Sequence, residues 1–351
     1  MQIKYIGKDG DNSYLLCGEK TAAAECMKKE NAEFHISRIK ENLAGAELDY
    51  IILNSVSPYN AGTASALTEQ FKGAKIVASA AGIKNLREML NRDFDYILAK
   101  DNDVLDLGGC SLLFKILPNL PWTDSMASYC PEEKTLFCGS IFNAENGYYE
   151  KYILPFSDYA QNASKRLSEL EINAVLPAFG DKINDISPFL KLYGKPAERS
   201  DSAAVFYASL FGNTREMAET VCGVLNKRGI RTRLFDVYAS GEAELKKAMD
   251  TCAGFAVGTN TVNRNADRKI WSLISSIDMI GGKHKPYIIF GSCGWSGEGI
   301  YCAEKLLRSL GMRQSAKPAA ARFTMSDTER AELCAASEKL ADDILEQLGG
   351  K

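Results

Sequence analysis

From residue 203 to the end of the chain, short apolar runs alternate with stretches whose apolar positions recur at helical spacing. Strands are expected at 203–208 (Ala-Ala-Val-Phe-Tyr-Ala), at 231–237, which is mixed in polarity, and at 252–258 and 286–291, with a weaker one near 319–324. Runs that are apolar on consecutive positions are buried on both faces, which predicts parallel strands. Between the first two, Met217, Val221, Val224 and Leu225 share one helical face. Ser326 to Leu348 predicts a long amphipathic helix at the end. Regular alternation of this kind gives a parallel sheet with helices on both faces. Its ligands bind beyond the carboxyl ends of the strands, where strand order reverses.

The pattern before residue 195 is less regular. Strand-like runs lie at 50–53, 74–78, 111–117 and 135–138, and helical ones at Glu33 to Leu43 and Thr63 to Lys72. They suit an α/β sandwich without choosing among several. The polar, Gly- and Pro-containing stretch 193–202 is the natural linker. With 351 residues, two domains are expected, at 1–195 and 203–351.

Composition narrows the function classes. Net charge is −3, which argues against nucleic acid or an acidic membrane surface as partner. No run approaches the roughly 20 apolar residues of a membrane helix. The first ten residues lack the apolar core of a signal peptide, so a cytoplasmic protein is expected. Ten cysteines contain no Cys-x-x-Cys pair, which disfavours a zinc ribbon, a thioredoxin-like dithiol or an iron–sulfur cluster. Free thiols filling small apolar sites are expected instead. The only histidines are His35, expected partly packed on a helix, and His284, expected solvated. No site of three or four imidazoles is possible, and neither histidine stands in a hydrolase motif.

The strongest chemical signal is the loop Ser209-Leu210-Phe211-Gly212-Asn213-Thr214 between the strand at 203–208 and the following helix. Backbone N–H groups, hydroxyls and the positive end of a helix converge there on one dianion. It lacks the Lys of a nucleotide triphosphatase loop and the Gly-x-Gly-x-x-Gly of a dinucleotide fold. It resembles the phosphate loop of flavodoxins, which hold FMN. On that resemblance Ser209, Asn213 and Thr214 take the phosphate. Two more loops leave later strand ends, Gly258 to Asn263 and Gly291 to Gly299. Thr259, Asn260, Thr261 and Asn263 are expected near the ribityl chain or ring. Ser292, Cys293, Gly294, Trp295 and Gly297 are expected along the isoalloxazine, with Trp295 placed to stack.

The first half is similar to a known family as well. Phe34 to Leu43, then Leu48 to Gly62, resemble the N-terminal domain of the flavodiiron proteins (A-type flavoproteins). Leu120 to Met126 resembles that family's His-Trp-Pro-Asp-Ser-Met turn, and Leu136 to Phe142 its Phe-Ser-x-Asp-Ala-Phe segment. Val175 to Gly180 resembles its Pro-Ser-His-Gly turn, and Phe290 to Gly297 its flavin loop. The resemblance implies a metallo-β-lactamase-like αββα sandwich followed by a flavodoxin-like doubly wound sheet.

The family's diiron signature, His-x-Glu-x-Asp-His, is not matched. Ser55 and Asn60 stand at its histidines, Ser57 and Tyr59 at its carboxylates. Pro121, Ser140 and Phe179 stand at the later ligands, and Asp124 is a lone carboxylate nearby, expected to serve a turn or cap. A diiron centre needs anionic oxygen donors and imidazoles, so no metal and no metallo-hydrolase activity is expected. What the resemblance leaves is electron transfer through FMN, with no catalytic side chain. A reductase, a rubredoxin-like protein or NAD(P)H would donate, and a separate acceptor would receive. The alternative is a non-catalytic scaffold or sensor with FMN as a structural ligand. The family also implies a head-to-tail homodimer.

Overall fold

A computed structural model describes residues 2–282 and 284–349. Lys283, in the polar segment around His284, lies outside them. The chain divides into two compact units, Met1–Ala197 and Glu198–Lys351.

In the first unit, β1 (Gln2–Lys8), β2 (Asp11–Cys17), β3 (Thr21–Ala24), β4 (Tyr50–Ile52), β5 (Lys75–Ser79) and β6 (Tyr96–Ala99) form one sheet in that order. Its first three strands are antiparallel and the later joints parallel. A second sheet runs β11 (Ala174–Leu176), β10 (Thr135–Phe137), β9 (Met126–Cys130), β8 (Ser111–Ile116) and β7 (Val104–Asp106). Period-two alternation sorts the side chains. Tyr14 and Leu16 of β2 join Ile52, Val77, Phe114 and Phe137 between the sheets. Leu15, Ile51 and Ile76 turn outward onto α1 (Ala32–Leu43), α2 (Ala64–Gln70) and α3 (Ala80–Leu90). The outer face of the second sheet packs Leu136 and Val175 against α4 (Ser157–Leu167) and α5 (Ser187–Tyr193). The result is an αββα sandwich.

The second unit contains β12 (Ala203–Tyr207), β13 (Thr232–Asp236), β14 (Gly254–Gly258), β15 (Thr261–Val262), β16 (Asn265–Ala266), β17 (Pro286–Cys293), β18 (Arg313–Gln314) and β19 (Ala319–Arg322). The main sheet is parallel, in the order β13-β12-β14-β17, with β18 and β19 pairing along the far edge of β17. That is the doubly wound order of flavodoxin-like sheets, and it reverses between β12 and β14. The helices are α6 (Asn213–Lys227), α7 (Glu242–Thr251), α8 (Arg268–Ser275), α9 (Glu298–Ser309) and α10 (Asp327–Gly349). Met217 of α6 and Leu340 of α10 cover Val205 and Ile288 on one face. Leu245, Ile270 and Ile300 of α7, α8 and α9 cover Phe206 and Ile289 on the other.

Two details differ from expectation. The helix after the first loop begins at Asn213, so Asn213 and Thr214 form its first turn rather than the loop. The second loop folds into the β15–β16 hairpin, whose tip residues Asn263 and Arg264 both have positive φ. Two such residues make the type I′ turn that suits a twisted two-residue hairpin. Among the described residues no helix is long and apolar enough to cross a membrane. All ten cysteines are free thiols.

Candidate functional site

The carboxyl ends of β12, β14 and β17 bring the three sequence-predicted loops together. Gly212 caps α6 with φ +91°, and a Cβ added there would meet nothing within 4 Å. Space is therefore not what requires glycine; the left-handed backbone is. The Ser209 hydroxyl accepts from the Gly212 N–H at 3.1 Å, folding the loop on itself. No side chain caps the helix, and its ladder starts at Glu216 N–H to the Gly212 carbonyl, 3.0 Å. The N–H groups of the preceding turn thus have no partner within the helix, as an anion site needs. Leu210 and Phe211 project outward, Phe211 being 89% exposed.

The second and third loops are tied to each other. Thr261 Oγ1 accepts from Gly299 N at 3.2 Å, and Arg264 Nε donates to Glu298 Oε1 at 2.9 Å. The buried Thr259 hydroxyl donates to the Asn260 carbonyl at 2.9 Å and accepts from Asp267 N at 3.0 Å. Asn260 is buried, yet neither its amide nitrogen nor its amide oxygen has a partner. Backbones approach closely here: a Cβ on Gly291 would lie 2.0 Å from the Thr259 carbonyl. Ser292 donates to the Phe323 carbonyl at 2.6 Å, and the Phe323 ring packs against Gly294. Cys293 ends β17, half-buried, and Gly297, φ +68°, caps α9. Trp295 stands 94% exposed.

These residues fit FMN. A helix N-terminus with open N–H groups suits a phosphate dianion, and the unpartnered Asn260 amide offers a donor–acceptor pair that the protein leaves unmatched. The exposed rings of Phe211 and Trp295 offer apolar surface beside it. The hydroxyls of Thr259, Thr261 and Ser292 already have internal partners, so they shape the loops.

The other candidate cluster lies in the first unit, after β4. Of the positions where the resemblance expects diiron ligands, the structure joins Ser55, Ser57, Asn60 and Ser140 in one network and sets Tyr59 against Phe179. Asn60 Nδ2 donates to Ser140 Oγ at 2.7 Å and also to Ser55 Oγ, while Ser57 Oγ accepts from Asn60 N at 3.0 Å. Tyr59 and Phe179 meet edge to face, 6.2 Å between centroids, and the Lys28 ammonium lies 5.3 and 5.8 Å from the two rings. Among the described residues no group of three or more His, Cys, Asp or Glu is placed to hold a metal ion.

Sequence reasoning missed two of the three carboxylates beneath this cluster, Glu25 and Asp11. Glu25, fully buried in a left-handed conformation, accepts from Asn54 Nδ2 at 2.6 Å and Gly139 N at 2.8 Å, and its second oxygen has no partner. Burial pushes its carboxyl up to about 7, against the pull of those donors. Asp11 accepts from Lys28 N and Asn31 Nδ2, both 2.8 Å. Asp124, expected to serve a turn or cap, is buried and accepts from Val56 N at 2.6 Å, anchoring the loop after β4. Burial raises the pKa of both Asp11 and Asp124. His35 is fully buried rather than partly packed, with Nδ1 2.9 Å from Thr63 Oγ1, and burial lowers its pKa to about 3. It is a neutral core imidazole. His284 is exposed, as expected. A charged residue directly after the small-residue strand Ala22-Ala23-Ala24 was the available signal for Glu25.

Comparisons with known proteins bear on the fold and on the second unit. The flavodoxin family model matches residues 205–350. The chain is 28% identical over 336 residues to the flavo-diiron protein FprA2 of Clostridium acetobutylicum, covering 86% of this chain and 84% of that one. It is 26% identical over 365 residues to a type A flavoprotein of Rhodobacter capsulatus, covering 95% and 84%. In fold it matches the rubredoxin oxygen:oxidoreductase of Desulfovibrio gigas, with a TM-score of 0.64, 21% identity, and 96% and 91% coverage.

Proposed function

Because this chain belongs to the flavodiiron (A-type flavoprotein) family and its second unit is an FMN-binding, flavodoxin-like domain, we propose that it carries electrons through FMN without a diiron centre. A reductase, a rubredoxin-like protein or NAD(P)H donates, and a separate acceptor receives. Bound FMN supplies one- and two-electron chemistry that no side chain here can. The chain's own residues hold it. The open end of α6 and the Ser209–Gly212 turn take the phosphate, and the close-set loops at 259–266 and 291–299 fix the ring. The proposed working form is a head-to-tail homodimer in the cytoplasm.

The observation that carries this reading is the closed Ser55–Asn60–Ser140 network. Its donors and acceptors are neutral and already engaged with one another. Two iron ions need anionic oxygens and free imidazoles to offset their lost hydration. Pro121 and Phe179 offer neither, and the Lys28 ammonium over Tyr59 and Phe179 adds like charge. This donor set does not fit a diiron centre. Reduction of oxygen or nitric oxide at iron is therefore no part of the proposed function.

The test is a visible spectrum and metal analysis of one purified sample, followed by titration with reduced donors. Stoichiometric FMN without iron, reducible by at least one physiological donor, is the expected result. Stoichiometric iron would overturn the reading, as would a bound flavin that no donor reduces.

A further inference from the structure

Asn260 follows the carboxyl end of β14, where strand order reverses. Backbone bonds fix its surroundings: Ala208 N reaches the Gly258 carbonyl and Thr259 N the Phe290 carbonyl, each at 3.0 Å. The polar groups beside it are engaged with one another. Thr259 Oγ1 serves the Asn260 carbonyl and Asp267 N. The buried Asp267 carboxylate accepts from Tyr238 Oη at 2.9 and 3.0 Å and from Lys269 N at 2.9 Å. In this satisfied neighbourhood one carboxamide has both ends closed to solvent and unpartnered. Leucine has nearly the same shape and would fill the position without that desolvation cost. An asparagine kept there implies a partner that arrives from outside the chain.

Resting on the FMN reading, we infer that the Asn260 carboxamide is an affinity-determining contact, its donor and acceptor meeting a matching pair on the flavin once binding parts the loops that bury it. Two parts of FMN carry adjacent donors and acceptors: the pyrimidine edge of the ring, where N3–H lies between two carbonyls, and the ribityl hydroxyls. The amide trades apo stability for ligand affinity. Without flavin it is a buried unmade bond; with flavin it is a made one.

That trade gives opposite signs in two measurements on the full-length chain. Asn260→Leu is expected to raise the melting temperature of flavin-stripped protein by about 2–6 °C. The same change is expected to weaken FMN binding, read by quenching of flavin fluorescence, by about 30-fold. Asn260→Ser, a smaller polar variant, is expected to weaken binding without the gain in melting temperature. Lumiflavin, which lacks the ribityl chain, separates the two contacts. A penalty that persists with lumiflavin assigns the ring edge, and one that vanishes assigns the ribityl chain. A leucine variant that loses stability in the stripped protein would show a structural role and overturn the inference, as would unchanged FMN affinity. Wild-type protein that binds no FMN would instead sink the functional reading, and this inference with it.

Discussion

Two loop clusters at strand ends, one in each unit, leave different kinds of polar group without a partner. In the cluster after β4, Asn60 serves Ser55 and Ser140, Ser57 serves the backbone of Asn60, and Asp124 holds Val56. In the cluster after β12 and β14, the first turn of α6 lacks a side-chain cap and the Asn260 amide has no partner. Buried polar groups cost free energy unless they are bonded. A cluster that has closed on itself therefore offers little to a ligand, while one that keeps open groups expects something from outside. Both clusters lie at strand ends, so position alone does not separate them. The balance of donors and acceptors does.

The carboxylates beneath the first cluster are the exceptions that make the comparison breakable: Asp11, Glu25 and Asp124 each keep one buried oxygen without a partner. Of the three, Glu25 is fully buried. Its pKa rises from 4.5 to about 7 on folding, chiefly through burial. A raised carboxyl favours the folded state fully below pH 4.5, and that contribution fades as pH climbs through 7. The full swing is about 3 kcal/mol at 1.36 kcal/mol per pKa unit. Glu25→Gln keeps an oxygen for Asn54 and Gly139 and cannot ionise. Denaturant titrations of the first unit's transition are expected to match wild type at about pH 4 and to show the variant more stable at about pH 8. Equal stabilities at both pH values would mean that the carboxyl finds water or a cation on ionising, and that the cluster is more open than its bonds suggest.

The second unit breaks at a smaller cost. Gly212→Ala adds a methyl group to open space but forces φ +91° on a residue that resists it. The left-handed penalty is about 1–2 kcal/mol, so FMN affinity is expected to fall about tenfold if the loop relaxes out of shape. The first unit's unfolding transition is expected to stay where it was. Unchanged affinity would show that the loop reshapes around phosphate and that its preset geometry is unimportant.

Much of this was legible before any coordinates. The apolar run 203–208 reappears as β12, and the loop after it is where the α6 N-terminus opens. Ser140, 80 residues beyond Asn60, does come into one network with it and Ser55. What stayed hidden has physical reasons. β3 is built largely of small residues, Ala22-Ala23-Ala24, whose weak strand preference gives way to burial in the sheet. The start of α6 was misplaced because a glycine cap leaves no Ser, Thr or Asp signal at that position. The β15–β16 hairpin is too short for alternation to register. The strain at Glu25 and the idle amide of Asn260 are facts about partners, and only three dimensions supply partners.

The smallest expected effect concerns the tie between the flavin loops. Arg264 sits at the hairpin tip with φ +62° and reaches Glu298 at 2.9 Å, while its own side chain is largely exposed. Exposed ion pairs contribute about 0–1 kcal/mol, and the left-handed strain at Arg264 remains in an alanine variant. Arg264→Ala is therefore expected to change the melting temperature little. Its effect belongs in the rate at which flavin leaves, because the pair joins two loops that must separate for release. A dissociation rate about twofold faster at low salt, converging with wild type near 1 M salt as screening removes the pair, is the expected signature. A large, salt-independent acceleration would instead mean that the Thr261–Gly299 bond fails with the ion pair, and that the two loops open as one body.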